Sequence, residues 1–227
     1  MIDLYTDATP NGLKISIALE ELGLEYQVHH GLRDGRNVSP EFTNMNPNQK
    51  IPLIKDGEHI VTESGAILYY LAEKNGKLLP KDLLKRTKVV EMLMLQMSGL
   101  GPNFGQLLVW AGAWKNEHPI ATQRYAKEVI RLFNVLNTLL EGHEYFAGNS
   151  YSIADIAFYP WVRMVFIHPI GEMLPIADLK NINAWYKRIS QREAVQRGLL
   201  VPAPNPPEEQ MKIFVNAVVG LGKLHNY

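Results

Sequence analysis

A change of character at Pro80-Lys81-Asp82 limits the folds open to this chain more than any other feature. Before it, short strand-like runs alternate with helical patterns; after it, only helical spacing remains. Residues 2–6 alternate loosely and read as a strand, while Leu13, Ile17, Ala18 and Leu22 recur at helical spacing up to Gly23. Tyr26-Gln27-Val28-His29-His30 suggests a second strand and Pro40-Glu41-Phe42 a short helical turn. The stretch from Leu53 to Val61 reads as two strands around an Asp56-Gly57 hairpin. A helix from Glu63 to Lys74 completes a βαβαββα unit, which calls for a small sheet with helices against it.

Downstream, Leu83 to Leu95, Ile120 to Leu140, Ile153 to Phe166 and Ile182 to Leu200 carry helical periodicity with no convincing strand between them. The fold class expected is therefore α/β plus all-α: a mixed-sheet domain over residues 1–80 and an all-helical domain over 83–200. In the remaining segment, 201–227, the prolines from Pro202 to Pro207 cannot continue a helix and make an extended connector. Met211, Phe214, Val215 and Val218 then return at the spacing of a terminal amphipathic helix.

Composition narrows the chemistry. With 23 basic and 23 acidic residues the net charge is zero, so no long-range field gathers nucleic acid or an anionic membrane. No apolar run reaches the roughly 18 residues of a membrane span, and Met-Ile-Asp-Leu-Tyr does not begin like a leader; a cytoplasmic protein is expected. The chain has 0 cysteines, which excludes disulfides, thiolate metal sites and a cysteine nucleophile. Any thiol chemistry must use a thiol brought by a ligand. The histidines are scattered, with His29-His30 their only adjacent pair and no carboxylate at ligand spacing, so no metal is expected.

Three constellations could bind a small peptide. In Thr9-Pro10-Asn11-Gly12, Thr9 suits an N-cap and Pro10 the first helical position. Asn11 could donate from the first turn toward an anion that the helix dipole also favours, and a thiolate is such an anion. Ile51-Pro52, at the start of a strand and flanked by Lys50 and a hairpin, resembles the place where thioredoxin-like folds use a cis proline to aim backbone groups at a bound peptide; an ordinary trans edge-strand proline is the alternative, and both stay open. Glu63-Ser64 opens a helix and could merely cap it, or it could hold a ligand carboxylate on Ser64 and an ammonium on Glu63. Tyr5, in the first strand, is a further candidate for activating a thiol, but its alternating position argues for packing within the sheet instead. Ser152 and Asp155 have the spacing of a capping box, a folding role for which Asp155→Ala would cost about 1 kcal/mol.

These motifs, with Ser39-Pro40-Glu41-Phe42, Asn46-Pro47-Asn48-Gln49-Lys50-Ile51-Pro52 and Ser152-Ile153-Ala154-Asp155-Ile156-Ala157, resemble the glutathione transferases. Within them the chain is most similar to the bacterial nu class, glutathione-dependent disulfide-bond oxidoreductases, and its fungal relatives. The resemblance runs from residue 1 to about residue 200 and implies a thioredoxin-like N-terminal domain that binds glutathione. By the resemblance Asn11 and Thr9 are the catalytic residues facing the sulfur, and Ile51 with Pro52 pairs its backbone with the cysteinyl unit. Glu63 and Ser64 hold the γ-glutamyl end, and Asn37 and Lys50 the glycyl end. Arg131, from the helical domain, approaches the γ-glutamyl end or is a solvated helix charge. Glutathione is then a co-substrate beside a small disulfide or an electrophile, in a metal-free homodimer. The activity implied is disulfide reduction with modest transferase and peroxidase activity. The alternatives are conjugation as the main activity, or a non-catalytic glutathione-binding regulator or scaffold. Gly99, Pro102, Phe104, Gln106, Trp110 and Trp114 either line a co-substrate cleft or belong to the core.

Overall fold

The computed structural model describes residues 1–30, 39–114, 117–176 and 178–203. Asn37 and the segment that carries Met211 to Val218 lie outside the described residues. Two compact units make up the chain: Met1–Leu68 together with the described residues from Ala194 onward, and Tyr69–Glu193.

The first unit contains β1 (Ile2–Thr6), α1 (Pro10–Leu22), β2 (Tyr26–His30), α2 (Pro40–Met45), β3 (Leu53–Asp56) and β4 (His59–Thr62). Next comes α3 (Ser64–Asn75), which begins in this unit and runs into the second. The strand order is β2-β1-β3-β4. β1 runs parallel to β2 and antiparallel to β3, and β3 is antiparallel to β4. This is the mixed sheet expected from the sequence. The parallel pair is joined through α1, and the β3–β4 pair by a two-residue turn, as the two kinds of pairing require. Along β1, Ile2, Leu4 and Thr6 are buried while Asp3 and Tyr5 are only partly so, the period-2 signature of a strand with one face on the core.

α1 is buried almost all round: Leu13, Ile15, Ile17, Ala18 and Leu19 are all inside. One side meets the sheet's core, and the other is covered by a short helix returning from the far end of the sequence, α9 (Glu193–Gly198). Ser16 Oγ donates to the Gly198 carbonyl at 2.7 Å, and Arg197 Nε pairs with Glu20 at 2.7 Å. A β-carbon on Gly198 would stand 2.6 Å from the Ile17 α-carbon, so only glycine permits the contact. Gly198→Ala is expected to lower stability by about 1–3 kcal/mol through this overpacking, read from urea unfolding midpoints. The single helix expected over Ile182–Leu200 is thus two, α8 (Lys180–Ser190) and α9, and the second packs on α1. Helical spacing alone does not reveal which core a helix serves.

In the second unit, α4 (Leu83–Leu95) and α5 (Gly101–Leu108) are joined by a π-helical turn over Gln96–Leu100, and another π turn, Val109–Ala113, follows α5. Pro102 has no N–H to give and its ring crowds the preceding turn. The wider turn, with Gly101 N–H reaching Gln96 O, carries the helix past it. Then come α6 (Pro119–Leu139) and α7 (Ile153–Ile167), with a 3-10 turn over Pro169–Met173 leading toward α8. α7 is the core helix of this unit, buried continuously from Ile153 to Val162. No described helix is long and apolar enough to cross a membrane.

Candidate functional site

In the first unit a cavity of about 210 Å³ is walled by three segments that are far apart in sequence. It brings together Asn11, Lys50, Ile51, Pro52, Glu63 and Ser64, and adds Asn46 and Asn48.

The first wall is the start of α1. Thr9, in extended backbone, accepts from Gly12 N–H at 3.2 Å, and Pro10 takes the first helical position. The helix begins hard against the end of β1: a β-carbon on Gly12 would stand 2.2 Å from Asp7 O and 2.4 Å from Thr6 Oγ1. Asn11 is thereby held at the cavity edge. Thr9 is the cap of this helix and is not among the lining residues.

The second wall is the loop before β3. Asn46 is 4% exposed. Its amide donates to Lys50 O at 2.8 Å while its Oδ1 accepts from Asn48 N–H at 3.1 Å. Gln49 N–H closes the turn onto Asn46 O at 2.9 Å, and Gln49 sits at φ 53°. The Ile51-Pro52 peptide, left open by the sequence, is cis.

The third wall is the head of α3. Ser64 is buried and Glu63 exposed, with Glu63 at φ 67° in the left-handed region that non-glycine residues rarely enter. Strained backbone of this kind gathers at ligand clamps. Asn48 Nδ2 lies 3.4 Å from Glu63 Oε1, tying the second wall to the third. Lined by exposed Lys50 and Glu63 and by Asn11 and Ser64 from the first turns of two helices, the cavity suits a ligand carrying both charge signs.

Beneath this wall lies Lys14, only 1% exposed, with Nζ donating to Ser64 Oγ at 3.3 Å. Burial pulls its ammonium down to a pKa of about 7, against the upward pull of Glu63.

Tyr5 packs within the sheet as its alternation indicated. Its ring stacks on His29 at 4.5 Å, and burial, with the Asp3 and Glu41 charges, raises its pKa. A phenol pushed upward is a poor group for stabilising a thiolate. Arg131, in the second unit, is exposed and holds Glu128 through two hydrogen bonds, 2.9 and 2.7 Å. Of the aromatic residues proposed for a co-substrate cleft, Phe104 is core, packed against Phe133 and Trp161. Trp110 lines a separate, larger cavity of about 750 Å³ in the second unit, with Asn103, His118, Arg124 and Tyr125.

Family models match both parts of the chain: glutathione S-transferase, N-terminal domain, over residues 2–73, and glutathione S-transferase, C-terminal domain, over residues 108–193. The chain belongs to the glutathione S-transferase family.

Among curated relatives, the disulfide-bond oxidoreductase YfcG of Escherichia coli is 40% identical over 208 residues, covering 88% of this chain and 95% of that one. Among solved structures, a glutathione transferase from Burkholderia graminis with two glutathione molecules bound per subunit is 42% identical, with a TM-score of 0.84 and coverage of 90% of this chain and 89% of that one. One from Pseudomonas putida, with one glutathione disulfide bound per subunit, is 39% identical at a TM-score of 0.84, covering 88% and 91% of the two chains.

In this glutathione transferase the residues that sequence reasoning missed are Asn46, Asn48 and Lys14. Asn46 and Asn48 lie in the loop motif that ends at Pro52, yet two letters in a loop do not show that one side chain bridges its own turn. Lys14 carried no signal of its own: a single lysine between Leu13 and Ile15 is an ordinary helix charge until the structure shows it buried.

Proposed function

We propose that this glutathione transferase binds glutathione in the 210 Å³ cavity and uses its thiolate to reduce small disulfides. The observation that carries this is the convergence of Asn11, the Ile51-Pro52 backbone and the Glu63-Ser64 helix start on one cavity, in a chain without cysteine. The names of its oxidoreductase relatives and the ligands of its structural neighbours support the same reading.

Glu63 faces the γ-glutamyl ammonium, Ser64 with the α3 start its carboxylate, and Ile51 the cysteinyl backbone. Lys50 and Asn37 serve the glycyl carboxylate. Asn11 donates to the sulfur, and Thr9 contributes by fixing the helix turn that presents Asn11. A free thiol has a pKa near 8.5, and lowering it by about two units takes roughly 2.7 kcal/mol of preferential thiolate stabilisation. A side-chain amide, first-turn N–H groups and the α1 dipole are of the right size to supply that.

The thiolate attacks one sulfur of the substrate disulfide, forming a glutathione mixed disulfide and releasing the other sulfur as a thiolate that takes a proton from water. A second glutathione thiolate attacks the mixed disulfide at the glutathione sulfur. Glutathione disulfide and the second substrate thiol leave, and two electrons have passed with no protein sulfur involved. The same reading takes the protein as a cytoplasmic homodimer with residues 1–80 as its glutathione-binding domain. Arg131, its Nε and Nη2 bonded to Glu128, is kept in this reading as a candidate for the γ-glutamyl end.

A steady-state assay of a small disulfide with glutathione, run beside a standard aromatic electrophile, tests the reading. Turnover of the disulfide well above that of the electrophile is the expected result. Retention on immobilised glutathione with turnover of neither would return the non-catalytic alternative.

A further inference from the structure

Lys14 is a lysine inside a hydrophobic unit, and its burial calls for a reason. An ammonium taken from water costs several kcal/mol unless it is well paired, and an apolar residue of similar volume is usually tolerated in its place. Lys14 extends from the second turn of α1 to the head of α3, where Nζ meets Ser64 Oγ at 3.3 Å. Ser64 is itself 5% exposed and lines the cavity. An ammonium is a donor only, so it takes a lone pair of the Ser64 oxygen and the hydroxyl proton must point away from Lys14. The same contact sets a positive charge one residue behind the place where a ligand carboxylate meets Ser64.

We propose that Lys14 is the buried cation of the γ-glutamyl subsite: when protonated it orients Ser64 and attracts the ligand's α-carboxylate, so that ligand binding takes up a proton. The inference rests on the reading of the cavity as a glutathione site.

Among the described residues, Glu63 at the head of α3 is a charge that acts on Lys14, raising its pKa against burial. On α1 itself Glu20 is engaged by Tyr26 of β2 and Arg197 of α9. The β1 carboxylates Asp3 and Asp7 face His29 and His30 of β2. Asp56 of β3 pairs with Ile2, at the end of β1 remote from the start of α1, and Lys55 with Asp3.

With its pKa drawn down to about 7, Lys14 is part neutral in the empty protein at neutral pH. A carboxylate bound over Ser64 favours the charged form and raises that pKa. By linkage, affinity is then steady below the empty-state pKa and falls as pH rises through it.

The test uses S-methylglutathione, which has no thiol proton to lose, in titration calorimetry. Titrations between about pH 6 and about pH 8, in phosphate and in Tris, separate proton uptake from the binding heat. Wild type should lose affinity by up to about tenfold over that range and take up a fraction of a proton near neutrality. Lys14→Met should bind with a flat profile at the weak, high-pH level of wild type. Lys14→Arg, charged throughout, should bind with a flat profile at the tight level, and it decides the matter if the Met variant does not fold. Wild-type binding with no proton uptake and no pH dependence, or a Met variant that keeps the wild-type profile, overturns the role of Lys14 and leaves the glutathione site standing. No wild-type binding at any pH overturns both.

Discussion

Asn11→Ala is expected to lower the turnover of a small disulfide by about 10- to 100-fold while changing glutathione affinity by less than about threefold. The asymmetry follows from where the amide sits. Asn11 is in the first turn of α1 and lines the cavity, whereas the charged ends of the ligand are assigned to Glu63, Ser64 and Lys50 on the other two walls. A hydrogen bond to a charged acceptor contributes about 1.5–3 kcal/mol, against about 1 for a neutral one. The amide therefore counts mainly when the sulfur is ionised and attacking. Alanine has the highest helix propensity, so α1 itself should tolerate the change. The pH at which turnover reaches half its maximum should move upward in the variant, because the bound thiol ionises less readily. Unchanged turnover, or a loss confined to KM, would remove Asn11 from the sulfur end of the site.

Much of this architecture was open to reading because local pattern and tertiary role agree. β1 alternates and is half buried; α1 has its threonine cap and proline start; the hairpin expected around Asp56-Gly57 is there, with its two-residue turn at Gly57-Glu58. The helix α5 was not legible, since Gly99, Gly101, Pro102 and Gly105 in a short span read as breakers. Gly99 lies in the π turn over Gln96–Leu100, which lets Gly101, Pro102 and Gly105 fall inside α5, and such a turn is defined by backbone bonds rather than by a residue pattern. The helix α9 was legible as helical and misplaced, because its partner on α1 lies 182 residues away along the chain.

The candidate site divides in the same way. Asn11, Lys50, Ile51, Pro52, Glu63 and Ser64 were named from motifs, and they share one cavity. What could not be read was support from below and behind. Lys14 acts through Ser64 on another element, and Asn46 through the backbone of its own loop. Residues that touch a ligand keep a motif's spacing; residues that hold them answer to the three-dimensional packing alone.

Asp155→Ala is expected to lower stability by about 3–5 kcal/mol, well above the cost of losing an ordinary helix cap. A cap alone would predict about 1 kcal/mol, the value the sequence suggests. Here the carboxylate is wholly buried and accepts more than the capping bonds. Its Oδ2 takes Ser152 N–H at 3.0 Å and the Ser152 hydroxyl at 3.1 Å. Its Oδ1 takes Phe146 N–H at 3.0 Å and Trp185 Nε1–H at 2.9 Å. It therefore joins the start of α7, the loop before it and α8, and removing it leaves several buried donors without their acceptor. Asp155→Asn should be intermediate, since the amide keeps one oxygen for Phe146 and Trp185 but turns a donor toward Ser152 N–H. Burial raises the carboxyl's pKa to about 6, with the bonds from Trp185, Phe146 and Ser152 pulling it down. Because the folded value lies above the unfolded value of about 3.9, the folded state holds more protons between the two. This residue's contribution therefore falls as pH rises from about 4 through about 6 and is level above that, a slope that should vanish in the alanine variant. Urea unfolding at several pH values, with glutathione affinity measured in parallel, separates the roles. A large stability loss at unchanged affinity is expected; lost affinity at unchanged stability would move Asp155 from the core to the site.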